Sequence, residues 1–352
     1  MALFTVTEHD RRVYEEELRD FLPEKIFDVH THVWLKEFFP PAPLAPGETK
    51  RTVTWPSLVA ADNSIEDLQE TYRLLLPGKE VRALMFSNSG RSREANDYVA
   101  QASRKTGFPA LYFSAPEQSP EELERCIREG GFLGIKGYLN LSPKYLPEAE
   151  IRIFDFFPKN QLKKMDEMGA IVMLHIPRSG RLKDPVNLAQ IMEIEQEFPN
   201  IRLIIAHIGR AYTHQDIGNA FETLDRAPGL LYDFTANCCE YAITEVIRHA
   251  GVKHVLYGTD MPILRMRMRR IEENGTYINL VPPGLYGDPK QDSHLREVSP
   301  EEAETITFFL YEELLAFKRA AAALDLSREN VADIMCNNAL RMIEDARRSI
   351  YG

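Results

Sequence analysis

The sequence contains few cysteines and no long apolar run, and both shortages limit what the protein can be. Its four cysteines among 352 residues form no CxxC pair, which argues against a disulfide scaffold and against a cysteine-rich structural zinc site. No apolar stretch approaches the length of a membrane span, and the N-terminal segment becomes charged too early for a signal peptide. We therefore expect a soluble protein of the reducing cytoplasm.

Positive charge is also in short supply. Lys and Arg total 42 against 53 Asp and Glu, which gives a formal net charge of -11. This balance argues against nucleic acid or an anionic membrane as the partner. It leaves a small anionic substrate open, because a few arginines grouped at one site can override the overall sign. With 44% hydrophobic residues, the chain can bury a sizeable core.

Short apolar runs rich in β-branched residues alternate with amphipathic, charged stretches along the chain. This alternation predicts repeated βα units and a parallel sheet, so the fold class is α/β. The eight predicted strands cover 26–33, 81–87, 109–115, 132–139, 170–176, 201–208, 230–236 and 254–260. Ser92 and Ser119 are suited to cap the helices that follow them. Eight strands with these crossovers favour a closed (β/α)8 TIM barrel, because a closed sheet has no edge to protect.

Two long segments leave the predicted strand ends. Residues 34–58 are rich in proline and aromatic residues, and residues 261–300 carry an arginine cluster followed by glycine and proline. Both extend the carboxyl-terminal face of the barrel, where barrel active sites lie. We expect one domain over 1–352, with the barrel core at about 26–262 and with long-loop and C-terminal helical segments at 263–352.

Histidines and an aspartate end several of the apolar runs. His30 and His32 alternate on the first strand and therefore share one face. His175, His207 and Asp260 each end a different run. Each one alone is compatible with a hydrogen-bonded structural role. Together on one rim they predict a metal site with imidazole and carboxylate ligands.

This set resembles the amidohydrolase superfamily, and within it the amidohydrolase-related (amidohydrolase 2) family. That family includes enzymes similar to aminocarboxymuconate-semialdehyde decarboxylase and to lactonases. The resemblance depends on the HxH motif of the first strand, on Lys136 in GIKGY, on His175 and His207, and on Asp260 in YGTD. The ending IMCNNALRMI also resembles the last helix of the family. The resemblance spans about 26–345.

The resemblance implies a single divalent metal ion, expected to be zinc with manganese as the second choice. His30, His32, His175 and Asp260 would hold the ion, and His207 would lie at the edge of the ligand shell. Bound zinc brings the pKa of its water to about 7. Asp260 would take the proton of this water as general base, and His207 would polarise the substrate or orient the water.

Lys136 has three interpretations. It is a carbamylated bridge between two metal ions, a contact to the substrate, or a member of a structural ion pair. Further substrate contacts are expected from Arg178 and Arg210, whose guanidinium groups can bind a carboxylate with two hydrogen bonds. Tyr212 and Trp34 complete this set of candidates.

Several remaining features have simpler interpretations. Asp28 lies one layer below the HxH motif and is expected to support it. The arginine run at 265–270 is interpreted as a helical or loop face rather than a nucleic-acid patch, since the rest of the chain is acidic. His214 and His294 lie on loops near the rim, within potential reach of the substrate. Trp55 is a candidate for an apolar wall or for the core.

These residues predict a metal-dependent hydrolase that cleaves an amide or lactone bond in a small, carboxylated substrate. The alternative is nonoxidative decarboxylation of a small carboxylic acid, which the same ligand set also supports. A third class is a barrel that binds ligands without catalysis. Self-association into a homo-oligomer is left open, because members of the family often associate but no residue of the sequence indicates it.

Overall fold

A computed structural model describes residues 3–39, 51, 56–88 and 92–352, so Trp55 lies outside the described residues. Eight short parallel strands form the centre of the molecule. Their bounds are Lys25–His32 (β1), Glu80–Phe86 (β2), Tyr112–Phe113 (β3), Gly134–Gly137 (β4), Ile171–Leu174 (β5), Arg202–Ile205 (β6), Leu231–Asp233 (β7) and Val255–Leu256 (β8).

These strands close into the predicted barrel. Strands β3 to β8 form one parallel sheet in chain order, and β1 pairs in parallel with β2. Backbone hydrogen bonds connect the two groups on both sides. The amide of Val29 donates to the carbonyl of Tyr257 at 2.9 Å, and the amide of Leu111 donates to the carbonyl of Met85 at 2.8 Å. The first strand therefore meets the last, as a barrel requires.

The paired strands are shorter than the apolar runs that predicted them. His207, Ala236 and Asp260 have φ values of 57°, 54° and 49°. This left-handed conformation is rare for residues other than glycine and ends the regular pairing of a strand. His207 and Asp260 therefore lie in turns immediately beyond their strands, whereas His30 and His32 lie on β1 itself.

Helices surround the barrel. Their bounds are Glu8–Val13 (α1), Pro56–Val59 (α2), Ile65–Leu75 (α3), Arg93–Thr106 (α4), Pro120–Gly130 (α5), Lys159–Met168 (α6), Pro185–Glu197 (α7), His207–Arg210 (α8), His214–Ile217 (α9), Ala220–Leu224 (α10), Glu240–Ala250 (α11), Pro300–Ala303 (α12), Phe309–Ala323 (α13), Arg328–Ala332 (α14) and Asn338–Tyr351 (α15). The predicted caps are confirmed, since Ser92 accepts the amide of Ala95 and Ser119 accepts the amide of Glu122. Among the described residues, no helix is both long and apolar enough to cross a bilayer.

The segment after β8 differs from the loop that was expected there. It forms a second, three-stranded sheet from Arg269–Glu273 (β9), Thr276–Val281 (β10) and Leu295–Glu297 (β11). The prediction of a helical or loop face for the arginine run was wrong at its end, because Arg269 and Arg270 open β9. Met266 and Met268 alternate with arginines and are fully buried, and this period of two is the signal of extended backbone that was overlooked.

The C-terminal helices pack on the barrel as expected. Phe317 of α13 is fully buried and stacks on Phe234, with ring centroids 4.9 Å apart. The hydroxyl of Tyr311 donates to the carbonyl of Leu75 at 2.8 Å. Helix α13 therefore closes the hydrophobic core between β7 and α3.

Candidate metal centre

The two histidines of β1 project into the barrel mouth from one side of the strand. His30 is 1% exposed, and its Nδ1 lies 3.1 Å from a carboxylate oxygen of Asp233. Nδ1 of His32 lies 2.8 Å from the carbonyl oxygen of Ser87. The alternation of β1 thus places both rings together, as the HxH motif predicted.

The partners of these rings fix which nitrogen carries the proton. A carbonyl oxygen only accepts, so Nδ1 of His32 must donate to Ser87. Nδ1 of His207 lies 2.9 Å from the carbonyl oxygen of Thr235 and must donate to it in the same way. The Asp233 carboxylate likewise accepts a hydrogen bond from Nδ1–H of His30. In the neutral form of each ring Nε2 then has the lone pair that a metal ion requires.

Asp260 reaches the same point from the turn after β8. Its amide donates to the carbonyl of His30 at 2.7 Å, and its left-handed backbone directs the side chain toward the histidines. One carboxylate oxygen lies 3.1 Å from Nε2 of His32 and 3.7 Å from Nε2 of His30. The ligand atoms of His30, His32 and Asp260 all lie within 4.8 Å of one another.

His207 and His175 stand beside this group. The ring centroid of His207 lies 4.7 Å from that of His30 and 5.3 Å from that of His175. Nδ1 of His175 is buried and has no hydrogen-bond partner among the described residues. His175 does not belong to the groups whose ligand atoms lie within 4.8 Å. Its role as a fourth ligand stays a prediction.

Asp233 is a residue of the site that the sequence analysis missed. Its carboxylate accepts Nδ1–H of His30 on one oxygen and the amide of His207 on the other, at 2.8 Å. It also groups with these two histidines at metal-binding distance. A single aspartate inside an apolar strand gave no distinctive signal, although β7 lies beside β6 and β8 in the barrel order.

Asp28 has the supporting role expected for it. It accepts the amide of His30 and the amide of Thr259 on one oxygen, each at 3.0 Å. Its other oxygen accepts the hydroxyls of Tyr72 and Thr259. Burial raises the pKa of Asp28 to about 7, against the opposing effect of these hydrogen bonds. Asp28 thus fixes the strand ends that carry His30 and Asp260.

Burial also sets the electrostatics of the metal-binding groups. It lowers the pKa of His30 to about 4 despite the nearby Asp233. It lowers the pKa of His175 and of His207 as well. Burial opposes ionisation of Asp260, but the hydrogen bond from His32 and the neighbouring histidines lower its pKa. Neutral imidazoles beside an ionised carboxylate are the protonation states that metal ligands need, so the residues present fit a divalent ion.

The metal centre lies at the bottom of a cavity of about 750 Å³. Of the predicted substrate contacts, Lys136, Arg210, Tyr212 and Trp34 all line it. Arg178 is not among the described residues of the cavity lining, and its guanidinium pairs with Asp184 at 3.2 Å instead. That ion pair gives Arg178 a local structural partner at the start of α7.

Lys136 lies near the candidate metal ligands, but among the described residues its ammonium forms no hydrogen bond with them. It is 1% exposed, and its ammonium lies 5.6 Å from the ring centroid of Phe86. Burial lowers its pKa to about 8, while the charges of Asp260 and Asp233 act in the opposite direction. Within the described residues the ammonium makes no ion pair. This placement is compatible with a substrate contact or with a bridging carbamate.

The sheet β9–β11 supplies cavity residues that the sequence analysis did not assign. They are Arg270, Tyr277 and Asn279, and His294 reaches the cavity from the segment before β11. His294 thus reaches the cavity, as the sequence suggested. His214 does not line this cavity among the described residues and pairs with Glu272 instead. Asp292 lines the cavity as well, so five of the cavity residues come from one continuous stretch of the chain.

The family comparison agrees with this geometry. Residues 27–280 match the family described as Amidohydrolase, of the Amidohydro_2 type, which is more than half of the chain. The chain belongs to the amidohydrolase family. This membership confirms the resemblance drawn from the HxH motif and from Asp260.

One curated relative shares a short segment with this amidohydrolase. A gamma-resorcylate decarboxylase of Polaromonas sp. (strain JS666 / ATCC BAA-500) is 35% identical over 96 aligned residues, which cover 23% of this chain and 29% of the relative. The matched part therefore spans less than a third of the relative's length.

Two solved structures share the fold over nearly the whole length. The dihydroxybenzoic acid decarboxylase from Polaromonas sp. JS666, with bound manganese and the inhibitor 2-nitroresorcinol, has a TM-score of 0.55 at 14% identity. The alignment covers 94% of this chain and 100% of that chain. A protein from Pseudomonas putida assigned as a 2-pyrone-4,6-dicarboxylic acid hydrolase has a TM-score of 0.54 at 14% identity, and the alignment covers 92% of this chain and 98% of that chain. At 14% identity these two comparisons show that the barrel fold is shared, and they show nothing beyond the fold.

Proposed function

We propose that this amidohydrolase is a metal-dependent, nonoxidative decarboxylase of a small aromatic carboxylic acid. The observation that carries the proposal is the 35% identity to a gamma-resorcylate decarboxylase over 96 residues. Decarboxylation was the alternative in the sequence analysis, and this relative favours it over hydrolysis of an amide or lactone.

The cavity suits a planar anion. The aromatic rings of Trp34, Tyr138 and Tyr212 line its sides, and Lys136 and Arg210 supply positive charge. Aromatic side chains give a large contact area to a ring. A guanidinium gives paired hydrogen bonds to a carboxylate. The small anionic substrate expected from the sequence therefore has both kinds of partner in this cavity.

A divalent ion held by His30, His32 and Asp260, with His175 as the predicted fourth ligand, would bind the substrate oxygens and withdraw electrons from the acid. Manganese and zinc both accept this set of nitrogen and oxygen ligands. His207 and Asp260 border the space where the carboxyl-bearing carbon would lie. Asp233 and Thr235 hold the ring of His207 in place from behind.

The chemical step needs one proton and no oxidant. A proton is delivered to the ring carbon that bears the carboxyl group, a C–H bond forms, and the C–C bond then breaks. Its electron pair returns to the ring and carbon dioxide leaves. We assign the proton delivery to Asp260 or His207, each of which must first take up a proton from water, because both are polar groups that line the cavity.

The test uses the full chain loaded separately with manganese and with zinc, and gamma-resorcylate as substrate. We expect release of carbon dioxide and of the decarboxylated ring. The rate of this reaction should fall at least about a hundredfold in Asp260→Asn. Asp225→Asn is the matched control, because Asp225 also pairs with a histidine, His249, at 3.0 Å but far from the cavity. The control should keep the activity of the unmodified protein.

Labelled water separates the two reaction classes. A panel of aromatic acids and lactones is incubated in water enriched in the heavy oxygen isotope. Decarboxylation leaves the decarboxylated ring without the label, whereas hydrolysis introduces one labelled oxygen into the organic product. Labelled product from a lactone, with no carbon dioxide released from any acid, would return the assignment to the hydrolase alternative.

A further inference from the structure

Two hydrogen bonds hold the guanidinium of Arg270, on β9, at the wall of the cavity. Nε donates to Oδ1 of Asn279 at 2.8 Å, and Nη1 donates to the carbonyl of Ala236 at 2.7 Å. The amide of Ala236 in turn donates to the buried carboxyl of Glu313. These contacts fix the plane of the guanidinium and leave Nη2 for another partner.

Three aromatic rings surround the same guanidinium. Its central carbon lies 4.7 Å from the ring centroid of Tyr212, 4.6 Å from that of Tyr277 and 4.7 Å from that of Phe309. Rings at this distance stabilise the cation by cation–π attraction and exclude water from its faces. In the described part of the chain Arg270 has no carboxylate partner, so a partly buried positive charge faces the cavity unpaired.

His294 adds a second donor or acceptor to this region. Its ring stacks on Tyr277, with centroids 4.1 Å apart and an interplanar angle of 7°. Nδ1 donates to the carbonyl of Tyr277 at 2.9 Å, because that oxygen can only accept. Nε2 remains available for a ligand, and His294 lines the cavity. The imidazole and the guanidinium of Arg270 are thus supported by the same tyrosine.

Arg210 occupies a different place in the cavity, closer to the metal centre. Nη1 donates to the carbonyl of Pro177 at 3.2 Å, and the charge of Arg210 lowers the pKa of His175 after the larger effect of burial. Arg210 likewise makes no ion pair with a described residue. The cavity therefore presents two arginines, one beside His175 and one on the wall formed by β9 and β10.

We propose that the wall around Arg270 is a second anion subsite, and that the substrate is an aromatic dicarboxylate. One carboxylate would lie at the metal centre near Arg210, and the other would accept a hydrogen bond from Nη2 of Arg270, with the ring of His294 beside it. The position of the first carboxylate rests on the proposed function. The second subsite depends only on contacts of the sheet β9–β11 and its neighbours.

The test measures binding and needs no turnover. Isothermal titration calorimetry on the metal-loaded full chain compares benzoate with isophthalate and terephthalate. We expect one of the dicarboxylates to bind at least about tenfold more tightly than benzoate, as one charge-assisted contact contributes. Equal affinity for benzoate and both dicarboxylates in the unmodified protein overturns the subsite, whatever any variant does.

Two neighbouring arginines provide the matched pair of variants. Arg270→Gln should reduce the dicarboxylate preference to within about twofold, because it weakens dicarboxylate binding much more than benzoate binding. Arg269→Gln is the control, because Arg269 lies next to it on β9 and bonds to Thr305 on the other face. Retention of the full preference in Arg270→Gln overturns the proposal. Arg270→Lys keeps the charge and is expected to recover part of the preference if Arg270→Gln folds poorly.

Failure of the second subsite can be distinguished from failure of the proposed decarboxylase function. Selective binding of a dicarboxylate without carbon dioxide release supports the subsite and contradicts the decarboxylase assignment. Carbon dioxide release from monocarboxylates, with no dicarboxylate preference, supports the decarboxylase and overturns the subsite.

Discussion

Asp233 connects two histidines of the metal centre through a single buried carboxylate. It accepts Nδ1–H of His30 on one oxygen and the backbone amide of His207 on the other. An aspartate in this position orients the imidazole and raises its basicity toward a metal ion. The residue therefore acts on the ion without facing the cavity itself.

We expect Asp233→Asn to lower the metal affinity by about 10- to 100-fold. Asparagine has one acceptor oxygen for these two donors, so either Nδ1–H of His30 or the amide of His207 would lose its partner. Competition with a chelator, followed by elemental analysis, measures the change. Asp225→Asn serves again as the control, since it alters an exposed aspartate–histidine pair. Unchanged affinity in Asp233→Asn would show that the orientation of His30 does not depend on this carboxylate.

The role of Lys136 determines whether the site holds one metal ion or two. Its ammonium is buried and makes no ion pair with a described residue, so we expect Lys136→Met to keep about one ion per chain. The measurement is metal content after dialysis, for the variant and the unmodified protein together. A fall from two ions to one would instead assign Lys136 the bridging role of a carbamate.

Much of the metal centre was predictable at this level because the signals are local. The period of two in β1 joined His30 to His32, and His207 and Asp260 stood out as polar ends of apolar runs. Asp233 and Arg270 were not predictable in the same way. The first has no distinctive spacing, and the second was hidden among neighbouring arginines whose orientation depends on the register of β9.

Helix α1 is attached to the segment before β9 by a buried ion pair. Asp10 is fully buried, and its carboxylate accepts two hydrogen bonds from Arg267, at 2.6 and 3.1 Å. It also accepts the hydroxyl of Thr307 at 2.8 Å. The N-terminal helix thereby supports the chain that leads into β9, and so contributes indirectly to the position of Arg270.

Asp10→Asn should destabilise the fold by about 3 kcal/mol at pH 7, because it leaves the charge of Arg267 without its partner. Burial raises the pKa of Asp10, but the Arg267 and threonine hydrogen bonds outweigh it, so the pKa lies below 3.8. A lowered pKa gives stability that is present above about pH 4 and is lost as the pH falls further. Urea unfolding at pH 7 and pH 3 measures the difference, which should shrink in acid. A difference that does not depend on pH would contradict the ion pair.

The elements themselves were largely predictable, and their ends were not. Apolar runs and serine caps indicated the strands and helices of the barrel in order. The left-handed turns at His207, Ala236 and Asp260 shortened the strands, since such conformations depend on the contacts of the folded site. The sheet β9–β11 escaped prediction because glycine, proline and charged residues made its sequence resemble a loop.

Closure of the barrel and assembly of the metal centre use the same contacts. The first and last strands meet where Val29 bonds to Tyr257 and where the amide of Asp260 bonds to the carbonyl of His30. The predicted ligands of the ion come from both sides of this junction between the first and last strands. An ion bound there would therefore hold the two ends of the barrel sequence together.

Metal loading is expected to raise the thermal unfolding temperature by several degrees. At a free metal concentration of about 1,000 times Kd, binding stabilises the folded state by about 4 kcal/mol. Calorimetry with and without a chelator measures the shift, and His30→Ala should abolish it. His254→Ala is the control, because His254 lies at the opposite end of β8 and bonds to the carbonyl of Ala250. The same shift in His30→Ala would place the stabilising ion elsewhere.

The sheet β9–β11 also has an evolutionary consequence. The groups predicted to hold an ion are distributed over strands from the beginning to the end of the barrel, so an exchange of one of them would disturb the others. The wall that contacts the far side of the cavity comes from one uninterrupted stretch, Arg269–Glu297. A single insertion or recombination event in that stretch would change which molecules are accepted while the inherited chemistry stayed intact. Paralogues of this barrel are therefore expected to diverge first within this stretch.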